Sequence, residues 1–120
     1  MRFALEWAAV MVVLLSGCGA APAVAPEPSA CASQTPLTWN NFGAPYFRSW
    51  CTGCHSSKLS ADGRAGAPVG MDFDSRSSVL DHQDRIKARA LAPTATMPPR
   101  GQPGASEKAL LAEWLDCGAP

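Results

Sequence analysis

The chain has 120 residues, which is enough for one small hydrophobic core and no second one of useful size. Ten Lys and Arg balance ten Asp and Glu, so the chain lacks the basic surface that displaces counterions from nucleic acid, and it is not an acidic disordered tail either. With 11 Pro, 10 Gly and few strand-forming runs, an all-β sandwich is disfavoured, while five cysteines in so short a chain imply export and oxidation, or thiols that hold a metal or cofactor.

The N-terminal segment reads as a targeting signal. Arg2 supplies a positive start, and Ala8 to Leu15 is an unbroken apolar run. A bilayer span needs roughly 20 apolar residues, so this run is too short to cross a membrane and fits the core of a secretory signal. Leu15-Ser16-Gly17-Cys18 resembles the lipobox of bacterial lipoproteins. The resemblance implies that residues 1–17 are a signal peptide and that Cys18 carries the lipid. It also implies an exported domain held on the periplasmic side, with Gly19 favouring the outer membrane. Residues 19–30 contain Pro22, Pro26 and Pro28, with no aromatic residue and no helical stripe, and are expected to form a semi-extended tether. The folded domain is then residues 31–120.

The domain opens on an aromatic stripe. Trp39, Phe42, Tyr46, Phe47 and Trp50 recur at helical spacing. Pro45 is incompatible with a helix interior but suits a first turn. A turn is therefore expected over Thr38 to Phe42 and a helix from about Pro45, which delivers Cys51 and Cys54.

Cys51-Thr52-Gly53-Cys54-His55 is a C-x-x-C-H pentapeptide, the attachment pattern of haem c. Two thiols three positions apart on one turn can each add to one vinyl group of a haem. The next residue, His55, then presents its imidazole to the iron from the same face. A bare C-x-x-C also serves as a dithiol redox pair or as half of a zinc site. The dithiol reading expects a βαβ pattern, which is not evident here. The zinc reading needs two more ligands, for which Cys31 and Cys117 are the remaining thiols of the domain.

A second helix is expected over residues 76–91, capped by Asp74 or Ser75, with Val79, Leu80, Ile86 and Leu91 facing inward. Arg85, Lys87 and Arg89 suit its C-terminal dipole, and one of them is a candidate partner for a haem propionate. His82, in Asp81-His82-Gln83-Asp84, is expected on an exposed face, and Met71 in the core. Met97 stands in Thr96-Met97-Pro98-Pro99, 42 residues after His55. Prolines hold a loop rigid without regular structure, which suits a methionine that presents its thioether to iron. A third helix is expected from about Ser106, its N-cap, to Cys117. Leu110, Leu111, Trp114 and Leu115 form its apolar stripe, and Gly118 ends it.

From Thr38 to Pro120 the chain resembles the small class I cytochromes c, and more closely the single-haem, lipoprotein-anchored forms of bacteria. The residues that carry the resemblance are Cys51, Cys54 and His55, the Met97-Pro98-Pro99 loop, and the closing Glu113-Trp114-Leu115 helix. It implies an all-α fold of about three main helices and long loops around one haem. The terminal helices cross beside the haem, and His55 and Met97 are the axial ligands. The family's proline that hydrogen-bonds the axial histidine corresponds, loosely, to Pro68. The glycine-rich stretch between His55 and Met97 departs from the family pattern.

With Cys18 assigned to lipid and Cys51 and Cys54 to haem, Cys31 and Cys117 remain, and an exported protein allows a disulfide between them. A six-coordinate iron leaves no open position for substrate, and the two histidines and the carboxylates form no acid–base constellation. The expectation is a monomeric electron carrier rather than an enzyme, exchanging electrons with redox partner proteins alone or within a larger oxidoreductase. Two other readings stay open. One is a haem-based sensor in which Met97 is displaceable; the other is a non-haem dithiol protein using Cys51 and Cys54.

Overall fold

The computed structural model describes Cys31 and residues 36–120. The expected signal segment, the expected lipid site at Cys18 and the expected tether lie outside the described residues. The described chain is all-α, with four α-helices and no strand among the described residues.

Thr38 begins the domain with a reciprocal cap. Its side chain accepts from the Asn41 backbone N–H, and the Asn41 side chain accepts from the Thr38 N–H. A π-helical segment, Trp39–Gly43, leads directly into α1, Ala44–Trp50, with Pro45 in its first turn as expected. A 3-10 turn spans Asp62–Arg64. Helix α2 covers Arg76–Asp81, α3 covers Gln83–Ile86, and a π-helical turn, Lys87–Leu91, follows without a break. Helix α4, Ala105–Asp116, closes the domain.

The expected helix over residues 76–91 is thus present but interrupted at His82. Ser75 is its cap, accepting from the Ser78 N–H. Helix α4 has its N-cap at Gly104 rather than Ser106: Gly104 has no side chain to cap with, and the Glu107 carboxylate takes its N–H instead, at 2.9 Å. Charge and reach decide that end, since an acid at the third helical position favours the N-terminal dipole.

The core is aromatic. Tyr46, Phe47, Phe73, Val79, Ile86, Leu111, Trp114, Leu115 and Ala119 are buried together. Trp114 lies at its centre, its ring centroid 6.1–6.2 Å from those of Trp39, Phe42 and Phe47. Gly43 permits that approach: a Cβ there would stand 2.7 Å from both Trp114 and Trp39. The inward residues expected of the second helix are confirmed at Val79 and Ile86, with Leu80 and Leu91 half-buried. Leu110 was expected in the buried stripe of α4 and is instead exposed. It lies one residue, about 100° of helix rotation, from Leu111, off the face that Leu111, Trp114 and Leu115 share.

Cys31 and Cys117 are joined by a disulfide, with their Cα atoms 5.3 Å apart. The segment after α4 is held to the start of the domain. Trp39 N–H donates to the Pro120 carbonyl at 2.6 Å, and Arg76 donates to the carbonyls of Gly118 and Ala119.

Candidate functional site

The pentapeptide leaves the end of α1 as a tight turn. Cys51 N–H closes the helix onto the Phe47 carbonyl, and the N–H groups of Cys54 and His55 both return to the Cys51 carbonyl, at 3.1 and 2.9 Å. Cys51 and Cys54 are half-buried and not joined to each other. Burial pushes the Cys51 thiol up to about 12, so it stays protonated at neutral pH. A protonated thiol is a poor nucleophile for disulfide exchange. Cys31 and Cys117 are bound to each other, so neither is available as a further zinc ligand. Among the described residues no group of three or more His, Cys, Asp or Glu side chains is placed to hold a metal ion.

His55 is held on two sides. Its ring stacks on Phe73, with centroids 4.8 Å apart and planes at 28°. Its Nδ1 lies 2.9 Å from the Met71 carbonyl. A carbonyl only accepts, so Nδ1 carries the proton, and the tautomer this fixes has its lone pair at Nε2. Nε2 has no hydrogen-bond partner among the described residues, nor is it a buried orphan. This is how a ligating imidazole is prepared: a second partner fixes the tautomer and the ring plane.

The partner is Met71, not Pro68. The Pro68 carbonyl is occupied instead by the Met71 N–H, at 3.2 Å, and by Arg64 Nη2, at 2.7 Å. Met71 itself packs half-buried against the core, as expected.

Arg64 organises this whole loop and carries no signal in the sequence. Its side chain is 2% exposed. Nη1 donates to the Ser56 carbonyl at 2.6 Å and Nε to the Ala67 carbonyl at 3.2 Å. Nη2 reaches Asp72 Oδ1 at 2.6 Å and the Met71 carbonyl at 3.3 Å, besides Pro68. All its acceptors but Asp72 are backbone carbonyls, which leave no trace in residue type. Ala65, left-handed at φ 49°, ends the 3-10 turn directly after Arg64.

The stretch after His55 is tied to the stretch before α2. Phe73 N–H donates to the His55 carbonyl at 2.9 Å. The Asp74 carboxylate accepts from Ser56 Oγ at 2.7 Å and from Ser57 N–H and Oγ at 2.7 and 3.0 Å. Desolvation pushes Asp74 up, but these hydrogen bonds and the Lys58 charge outweigh it and hold the carboxyl below its ordinary value.

Met97 is 38% exposed, one of three large apolar side chains left exposed among the described residues. Its N–H and that of Thr96 both donate to the Arg89 carbonyl at 2.9 Å, which anchors the loop to the π-helical turn. The Met97–Pro98 peptide is cis, and Gln102 Nε2 donates to the Pro98 carbonyl. Gly101, left-handed at φ 69°, brings this loop beside the Trp50 ring, at the end of the helix that delivers Cys51.

His82 is half-buried rather than exposed. Its Nδ1 bonds the Ser78 carbonyl at 2.8 Å, and its ring meets the edge of Phe73, opposite in role to the stacked His55. Of the three candidate propionate partners, Lys87 is paired with Asp116 at 2.7 Å. Arg85 and Arg89 are exposed.

Two unjoined thiols a turn apart, an imidazole whose Nε2 has no partner among the described residues, and an exposed thioether on a tied loop are the donor types that a covalent haem would use. Comparison with family models, with curated proteins and with solved structures finds no match.

Proposed function

We propose that the domain binds one haem c and serves as a single-electron carrier, with a cytochrome c-like fold. The observation that carries this reading is the state of His55. It directly follows two unjoined thiols on the same turn, its Nδ1–H is given to a backbone carbonyl, and its Nε2 is left to ligate.

Cys51 and Cys54 would anchor the haem through thioethers, and His55 Nε2 and Met97 Sδ would ligate its iron. When bound, the haem supplies a reversible one-electron couple. The chain's own residues do the rest. The Met71 carbonyl and the Phe73 ring fix the imidazole plane, and the Arg89 carbonyl fixes the loop that bears Met97. A thioether ligand favours the reduced state and raises the potential. The close approach of Gly43 to Trp114 supports the fold reading, because the terminal helices of small class I cytochromes c cross beside the haem. The Cys31–Cys117 bridge supports a location outside the reducing cytoplasm, with redox partner proteins reached there.

The test is an optical spectrum of protein co-expressed with haem c maturation machinery. The expected result is covalently bound haem with a sharp reduced α-band and a weak far-red band in the oxidised form. Met97→Ala is expected to abolish the far-red band and lower the midpoint potential. Covalent haem that reacts at once with carbon monoxide in the wild type would favour the sensor reading. Absence of covalent haem would overturn the proposal.

A further inference from the structure

We infer that Arg64 is a positioning residue that tunes the basicity of the His55 imidazole through their shared acceptor, the Met71 carbonyl. The inference rests on the haem reading for its consequence, a raised reduction potential, but not for the contact itself.

A carbonyl oxygen has two lone pairs. At Met71 one meets His55 Nδ1–H at 2.9 Å, and Arg64 Nη2 approaches the same oxygen at 3.3 Å. Nη2 has two hydrogens and shorter bonds to Pro68 and Asp72, so the Met71 carbonyl takes the long arm of a shared N–H, and this cationic donor still draws on what the oxygen can offer the imidazole. A weaker acceptor leaves less negative charge on the ring, and a less basic ring is a poorer donor to oxidised iron. The guanidinium adds a direct effect of the same sign. It is a positive charge 2% exposed, where screening is weak, and it opposes a further positive charge nearby. Asp72 opposes both effects, because its carboxylate at 2.6 Å partly neutralises the guanidinium.

A purely structural role for Arg64 is also visible in its bonds to Ser56, Ala67 and Pro68. The two roles separate by sign. Arg64→Gln removes the charge, and Asp72→Asn exposes it, yet both remove a loop contact. A loop staple alone would move both variants the same way or leave the potential unchanged. The tuning role moves them in opposite directions.

The experiment is spectroelectrochemistry on the full-length haem-loaded protein and both variants, with the proton resonance of His55 Nδ1–H followed by NMR. Arg64→Gln is expected to lower the midpoint and shift that proton downfield. Asp72→Asn is expected to raise the midpoint and shift the proton upfield. If Arg64→Gln does not fold, Asp72→Asn decides alone, since it leaves every bond from Arg64 to a carbonyl intact. An unchanged midpoint, or shifts of the same sign in the two variants, overturns the inference. If the wild type takes up no haem, the functional reading fails by itself. The Nδ1–H resonance of the haem-free chain then decides the inference, which an unmoved resonance in the variants overturns.

Discussion

At the scale of single residues, Asp74 joins the turn after His55 to the start of α2, and its energetics are tied to pH. Its carboxyl is held below the ordinary value of 3.8 by Ser56, Ser57 and Lys58 against the cost of desolvation. A depressed folded value means that the unfolded chain binds the proton more readily. The contribution is therefore complete above the unfolded value and is lost as pH falls through the lower folded value. Asp74→Asn is expected to lower urea resistance at neutral pH, with the gap to wild type closing in strong acid. A gap of the same size at both pH values would show that the carboxylate's charge plays no part. The side chain is exposed, so the effect is modest. Asp74 was legible in the sequence only as a candidate cap, a role that Ser75 fills. The thiol pair and His55 were legible because their chemistry is written in side chains at fixed spacing. Arg64 and the Met71 carbonyl were not, because a backbone acceptor has no residue type and the ion pair Arg64–Asp72 closes only once the loop is folded.

At the scale of elements, the packing of the π-helical segment Trp39–Gly43 on α4 depends on the missing side chain at Gly43. An added Cβ meets two aromatic rings at 2.7 Å, and neither Trp39 nor Trp114 is a flexible chain end. Overpacking of this kind typically costs ~1–3 kcal/mol. Gly43→Ala is expected to lose about that much in chemical denaturation, despite alanine's better helix propensity, which favours it by ~1 kcal/mol. A variant as stable as wild type would mean that the two helices separate without cost. The aromatic stripe of this region was legible from its spacing, and so was the role of Pro45. The break at His82 was not. There the imidazole Nδ1 takes the Ser78 carbonyl, which a continuous helix reserves for the His82 backbone N–H, and that N–H turns back to Val79 at 3.2 Å. A side chain competing with the backbone in this way leaves the apolar periodicity untouched, so periodicity alone reads one helix where there are two. The same limit applies to Leu110, whose position at the edge of a stripe is decided by what packs opposite it.

At the scale of the whole molecule, stability depends on closing a chain of about 90 residues whose core is small. The Cys31–Cys117 bridge does so across a separation of 86 residues, joining the start of the domain to the end of α4. It sits with Leu37, Trp114 and Pro120 around one small hollow, so it also pins the segment that supplies the Pro120 carbonyl to Trp39. Removing a native disulfide from a small exported domain typically costs ~2–5 kcal/mol, and loop-closure entropy alone gives ~4–5 kcal/mol near this loop length. The paired substitution of Cys31 and Cys117 by alanine is expected to lower the melting temperature accordingly while leaving Cys51 and Cys54 able to take haem. Alkylation of denatured, unreduced wild-type protein should leave Cys31 and Cys117 unlabelled, and labelling of both would refute the bridge. An unshifted melting temperature in the paired variant would instead show that the terminal hydrogen bonds of Trp39 and Arg76 hold the ends together unaided. Loss of haem attachment in that variant, with folding intact, would mean that closure of the whole chain sets the geometry of the turn at Cys51 to His55.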